Sequence, residues 1–313
     1  MPLAEDVVEA FQGSAPLGIL IAVVGAVFLS LGAQLQHRGV EHVEASHGSG
    51  AKAGLSGGQL MRLLSTPSWV IGTIMLALAV IFQLTALGFA PIIVVQPIGI
   101  IALVLTSILN ARVSNVKLDR KAIQAIVMCV VGIGAFVTIA AFYAQEHIIR
   151  ETQLVIILVI LGVALLALAA AFVFFRRRLT AMFYIAAGGV LYGFVASIAK
   201  VVINRILNNN FDLITVVGGV CLLLALGLGF YFVQTAYSVG APDLVIAGLT
   251  VVDPLIAIAI GIFVLGEASG TPLWALAVWL VAGAVAVFGV FQLAKHHPQT
   301  HRRDQPGEFA PLR

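Results

Sequence analysis

Residues 67–111, PSWVIGTIMLALAVIFQLTALGFAPIIVVQPIGIIALVLTSILNA, run for 45 positions without an Asp, Glu, Lys or Arg. About 20 apolar residues cross the hydrocarbon core of a bilayer as a helix, so this run holds two crossings. Gly88, Ala90 and Pro91 supply the turn that divides it. The rest of the chain has the same character. Of its 313 residues 61% are hydrophobic and 10% charged, and the mean hydropathy is +1.09. Globular domains carry about 25% charged residues, so the composition points to an integral membrane protein.

Applied along the chain, the same criterion predicts helices over 16–36, 67–89, 91–110, 122–144, 152–175, 180–203, 213–235, 242–266 and 272–294. The expected fold is all-α, with about nine transmembrane helices. The N-terminal MPLAEDVVEAF has three acids and no base, unlike the basic start of a secretory signal, so the first helix is expected to stay attached. Cys129 and Cys221 lie inside apolar runs and read as small buried hydrophobes.

Cytoplasmic loops are enriched in Lys and Arg, which gives an orientation. Arg38, Lys52 and Arg62, then Arg112, Lys117, Arg120 and Lys121, then Arg176 to Arg178, then Lys295, Arg302, Arg303 and Arg313 all fall on one side. Only Arg150 and Arg205 fall on the other, and Lys200 lies inside a helix. The expectation is an N-terminus outside and a C-terminus inside the cytoplasmic membrane.

An internal repeat is visible. FQLTALGFAP at 82–91 resembles FVQTAYSVGAP at 232–242, pairing Thr85-Ala86 with Thr235-Ala236; AVVGAVFLSLGAQ at 22–34 sits beside AAGGVLYGFVASI at 186–198. Five spans separate the first helix from the sixth, and an odd number forces opposite orientations. Inverted repeats of this kind build many secondary transporters, with the solute near the midplane between them. The expected organisation is an extracytoplasmic segment 1–15, a four-helix repeat 16–150 containing the cytoplasmic loop 37–66, a five-helix repeat 151–294 and a cytoplasmic tail 295–313 assigned as disordered.

Pro97 and Pro254 fall well inside the third and eighth helices. Each removes an N–H and frees the carbonyl four residues back, at Ile93 and Thr250, so VVQPIGI and VVDPLIA are candidate unwound or kinked segments lining a pathway. Asp253 precedes Pro254 near the middle of its span. A charged group there costs about 2.5–3.5 kcal/mol on insertion scales, so it is expected to face the bundle interior as a proton carrier or a cation-binding group. Lys200 shares a helical face with the small residues Gly189, Gly193 and Ala196, a spacing that turns it into the bundle, whereas its position near the outer end also allows snorkelling. Glu267, an outer-end charge, is its candidate partner. Gly18, Ala22, Ala26, Ser30 and Gln34 form a close-packing stripe, and Gln34, Gln83, Gln96 and Gln234 are candidates for a polar cavity.

These residues resemble known families. VVDPLIAIAIGIFVLGE at 251–267 is similar to EamA-type repeats of the drug/metabolite transporter superfamily, with Asp253, Pro254, Gly266 and Glu267 in the acidic, proline and closing Gly-Glu places. APIIVVQPIGIIALVLTSIL at 90–109 resembles the third helix of NIPA-type magnesium transporters, with Pro97 and Gly99 on its Pro-x-Gly, and SIAKVV at 197–202 is similar to a lysine-bearing helix of that branch. The resemblance implies inverted helical repeats and solute transport. The chain departs from the ten-helix EamA pattern in lacking a last helix.

The resemblance leaves two substrate classes. Magnesium sheds water reluctantly and is held by carboxylates; one mid-membrane Asp beside a lysine favours instead a small organic solute, metabolite, amino-acid-like or cationic, moved with protons. The alternative is a NIPA-like magnesium or divalent-cation transporter, and a non-transporting scaffold or receptor is the third class. His37, Glu41 and Glu44 share a helical face on the cytoplasmic side and are the weak metal candidates. Metalloprotease, dithiol and phosphate-loop motifs do not occur, and the basic residues are scattered between apolar spans, so neither an enzyme, nor a cofactor, nor a nucleic-acid partner is expected. The expected partners are lipid, a small solute or cation, and a second copy of the chain.

Overall fold

The computed structural model of the chain describes residues 15–45, 64–113, 119–145, 149–175, 180–239 and 242–295. Among these residues the fold is nine helices: α1 (Ala15–Ala45), α2 (Pro67–Phe89), α3 (Ile92–Val113), α4 (Arg120–Tyr143), α5 (Glu151–Phe175), α6 (Ala181–Leu207), α7 (Leu213–Val239), α8 (Pro242–Phe263) and α9 (Leu273–Lys295). Each is long and apolar enough to span a bilayer. Lipid offers no partner for backbone N–H and C=O groups, and helices satisfy them internally. The chain is an all-α, multi-pass membrane protein.

Several helix ends depart from the sequence reading, two of them with a local physical cause. α1 continues past the bilayer to Ala45, because Gln34 to Ala45 includes good helix formers and only one helix-weakening residue, Gly39. α8 stops at Phe263, short of the expected 266, where Gly266 takes the left-handed conformation (φ 73°) and reverses the chain.

Helix neighbours repeat along the chain. α1 packs on α2 and α3, and α3 on α4; α6 likewise packs on α7 and α8, and α8 on α9. Across the middle, α3 meets α8 and α4 meets α9, so in these two pairs a helix faces its own counterpart. Thr85 and Thr235, paired by the internal similarity, make the same local bond, each hydroxyl donating to the carbonyl four residues back at 2.7 and 2.8 Å. α3 and α6 are the central helices, with 61% and 67% of their apolar windows buried, against 17% for the lipid-facing α5.

Small residues set the closest approaches. Gly18, Gly25, Gly32 and Gly39 recur every seven residues on α1 and face Ala90, Phe82, Gly72 and Trp69, running antiparallel along α2 and its end. The neighbouring stripe of Ala22, Ala26, Ser30 and Gln34 is buried, and Thr106 of α3 donates to Ser30 Oγ at 3.2 Å. Between α4 and α9, Gly132 and Gly289 bring backbones together beside Cys129, which fills the seam as a small buried side chain.

The turn from α6 to α7 carries a polar knot. Buried Arg205 bonds Asp212 Oδ2 at 2.6 Å and Thr215 Oγ1 at 2.8 Å, while Asp212 Oδ1 caps α7 by accepting from Thr215 N at 3.0 Å and Thr215 Oγ1 at 2.7 Å. Asp212 is held below the usual carboxylate range, first by the Thr215 hydroxyl, with the Thr215 N–H and Arg205 adding to it and desolvation opposing. A depressed folded pKa gives stability that is present above the unfolded value and lost as pH falls through the folded one. The melting-temperature advantage of wild type over Asp212→Asn is therefore expected at pH 6 and absent once the medium is more acidic than the folded pKa of Asp212; a pH series of thermal unfolding checks it.

Candidate functional site

Asp253 sits in the middle of α8, where the helix packs on α6 through missing side chains. A Cβ on Gly189 would lie 2.6 Å from Val252 Cβ and 3.3 Å from Asp253 N; one on Gly193 would lie 2.9 Å from Asp253 O. The small face read from the sequence is thus a packing face that holds Asp253 against α6. Asp253 Oδ1 is buried without a hydrogen-bond partner, an arrangement shared among the described residues only by Trp279 Nε1. Buried polar atoms are almost always satisfied, so a carboxylate oxygen left open inside a bundle is an exception to that rule. Tyr192, next to Gly193 on α6, lies within electrostatic reach of Asp253; the sequence reading missed it, because a tyrosine in an apolar helix carries no pattern of its own.

Lys200 is committed elsewhere. Its ammonium donates to Ala90 O at 2.8 Å and pairs with Glu267 Oε1 at 3.3 Å, both side chains being at most 5% exposed. Glu267 also takes the first two N–H groups of α3, from Ile92 to Oε1 and Ile93 to Oε2, each at 2.9 Å. Those amides have no partner inside their own helix, and the positive end of the helix dipole favours an anion there. Two glycines make the arrangement possible: the left-handed Gly266 turns Glu267 back, and a Cβ on Gly261 would stand 2.9 Å from Glu267 Oε2. The pairing expected between Lys200 and Glu267 is present, and the lysine does not snorkel. From Gly193, level with Asp253, to Lys200 is seven residues, about 10 Å along the helix. The ammonium, neutralised by Glu267, is therefore no close repulsive neighbour of Asp253.

A cavity of about 580 Å³ lies where α3, α4, α8 and α9 meet. Pro97 and Pro254 both line it, with Thr250, Phe136 and Trp279, and its rim includes the exposed Leu255, Phe263 and Leu280, so it is open on one side. Both helices continue through their prolines, so neither segment is unwound. The Thr250 hydroxyl donates to Ile246 O, leaving the walls almost entirely apolar. Asp253 is not among the lining residues.

Gln34 and Gln96 are buried and Gln83 half-buried, but Gln234 is exposed and none of the four lines this cavity. The side chains of His37, Glu41 and Glu44 lie outside the described residues. Among the described residues no three His, Cys, Asp or Glu side chains cluster to hold a metal ion.

The family model for the magnesium transporter NIPA matches residues 14–206, which is α1 to α6. An uncharacterized protein of Corynebacterium glutamicum is 27% identical over 256 residues, covering 80% of this chain and 85% of its own length. The probable magnesium transporters NIPA2 and NIPA7 of Arabidopsis thaliana are 30% and 26% identical over 115 and 116 residues. Those matches cover 37% of this chain and about a third of either plant protein. No solved structure matches. A match over well over half of the chain, taking in the helix that carries Lys200 and the Pro97 segment, shows that the chain belongs to the NIPA magnesium transporter family.

Proposed function

We propose that this protein carries a divalent cation of the magnesium class across the cytoplasmic membrane, with Asp253 as its mid-membrane acceptor. The observation that carries this reading is the buried, unpartnered Oδ1 of Asp253 in a chain of this family. The preference for an organic solute rested on a single mid-membrane carboxylate and on a lysine repelling cations, and the second ground is weakened by the pairing of Lys200 with Glu267. Magnesium usually keeps several waters and uses one or two carboxylates, so an ion passing partly hydrated needs no cage of three protein ligands. The proposed frame is two inverted repeats, 16–150 and 151–294, with the N-terminus outside. The imbalance of Lys and Arg between the two sides supports that orientation.

One observation favours a second reading. The apolar cavity at the α3–α8 prolines suits an organic solute better than a hydrated ion. Purified protein in liposomes loaded with a magnesium-sensitive dye separates the two. Protein-dependent magnesium entry above empty vesicles is the expected result, and a pH gradient imposed across the membrane tests proton coupling. No entry from folded protein overturns the cation reading and directs the search to organic solutes.

A further inference from the structure

The Glu267 knot joins segments far apart in the chain. Through one carboxylate it ties the start of α3, the end of α6 and the α8–α9 turn. The same turn reaches α4 and α5: Gln145 N donates to Glu267 O at 2.8 Å, Thr271 Oγ1 to Tyr143 O at 3.4 Å, and Gln153 Nε2 to Val264 O at 3.4 Å. Beneath it lies a continuous apolar layer, including Leu87, Ile98, Phe194, Ile198, Ala257 and Ile260, between this end and the level of Asp253.

We propose that the Lys200–Glu267 pair, seated on the N-terminus of α3, is the gate at this end of the transport path, and that the structure is the state closed on that side. On the orientation proposed above, this is the extracytoplasmic end. The chemistry suits a gate. Every group in the knot is charged or an orphan helix-end amide, so each is satisfied either by the others when dry or by water when the helices part. The buried network holds the closed state without making the open state prohibitive, whereas an apolar seal alone has no such alternative partner. The polarity is fixed by the helix: an anion must sit on α3 and a cation beyond it.

The test needs no transported substrate, so its failure is separate from failure of the magnesium reading. Ile260→Cys is introduced after Cys129→Ala and Cys221→Ala, and a membrane-impermeant thiol reagent is added outside intact cells. With Lys200 and Glu267 in place the Ile260→Cys thiol is expected to be protected. Lys200→Met or Glu267→Gln should raise its labelling rate at least about tenfold, as for a population shift toward the open state. Lys200→Arg should retain protection. The exchanged pair, Lys200→Glu with Glu267→Lys, should stay open, because an ammonium cannot accept from the Ile92 and Ile93 amides. Lys200→Met is the milder change, and size-exclusion elution with melting temperature identifies folded variants. Continued protection in a folded Lys200→Met protein overturns the gate, and restored protection in the exchanged pair overturns its seating on α3.

Discussion

Replacing Glu267 with leucine is expected to destabilise the fold by about 3–5 kcal/mol, the range seen when one partner of a buried ion pair is removed. Leucine fits the volume but accepts nothing. The substitution leaves the Lys200 ammonium buried without its counter-charge, and leaves the Ile92 and Ile93 amides without their acceptor. Lys200→Met combined with Glu267→Leu should recover part of the loss, because the stranded charge is then removed along with its partner, while the two α3 amides stay unsatisfied. A double-mutant cycle by thermal unfolding in detergent measures both. Equal additive losses in the two single variants would show that the pair has no coupling.

Asp253→Asn is expected to act in the opposite sense: magnesium entry falls by more than about tenfold while the melting temperature stays within the narrow range of a neutral substitution. The reason is geometric. Oδ1 donates nothing to and accepts nothing from the surrounding helices, so the fold does not depend on its charge. An amide keeps the shape of the side chain against Gly189 and Gly193 but presents no negative charge to a cation. Flux equal to wild type in Asp253→Asn liposomes would remove this residue from the path. A matching fall in flux and in stability would instead assign it to packing.

Much of the membrane architecture was legible in the sequence because lipid makes one demand on every span. Runs of about 20 apolar residues, split by Gly88-Phe89-Ala90-Pro91 and Gly240-Ala241-Pro242, read directly as helices. Helix neighbours also repeat from α1–α4 to α6–α9, the order that the Thr85 and Thr235 similarity led one to expect. Asp253 stood out because a carboxylate in an apolar run has few structural reasons to be there. The end of α8 was less legible, since apolar composition continues past Phe263 and only the backbone of Gly266 decides where the helix stops.

The sequence by itself determined that the chain spans a membrane as a series of apolar helices, and it singled out Asp253 and Lys200 as the charges within spans. It did not determine which charge meets which. Lys200 and Glu267 are 67 residues apart, and the bonds that Lys200 donates to Ala90 O and that Glu267 accepts from Ile92 N join them to a third segment of the chain. Apolar spans carry little information about which faces meet, whereas a buried ammonium, a carboxylate and two orphan amides have few satisfactory arrangements once the helices are packed. The tertiary structure therefore decided that Lys200 ties three segments together near one end of the bundle, while Asp253, about 10 Å further along the helix axis, has a buried oxygen without a partner.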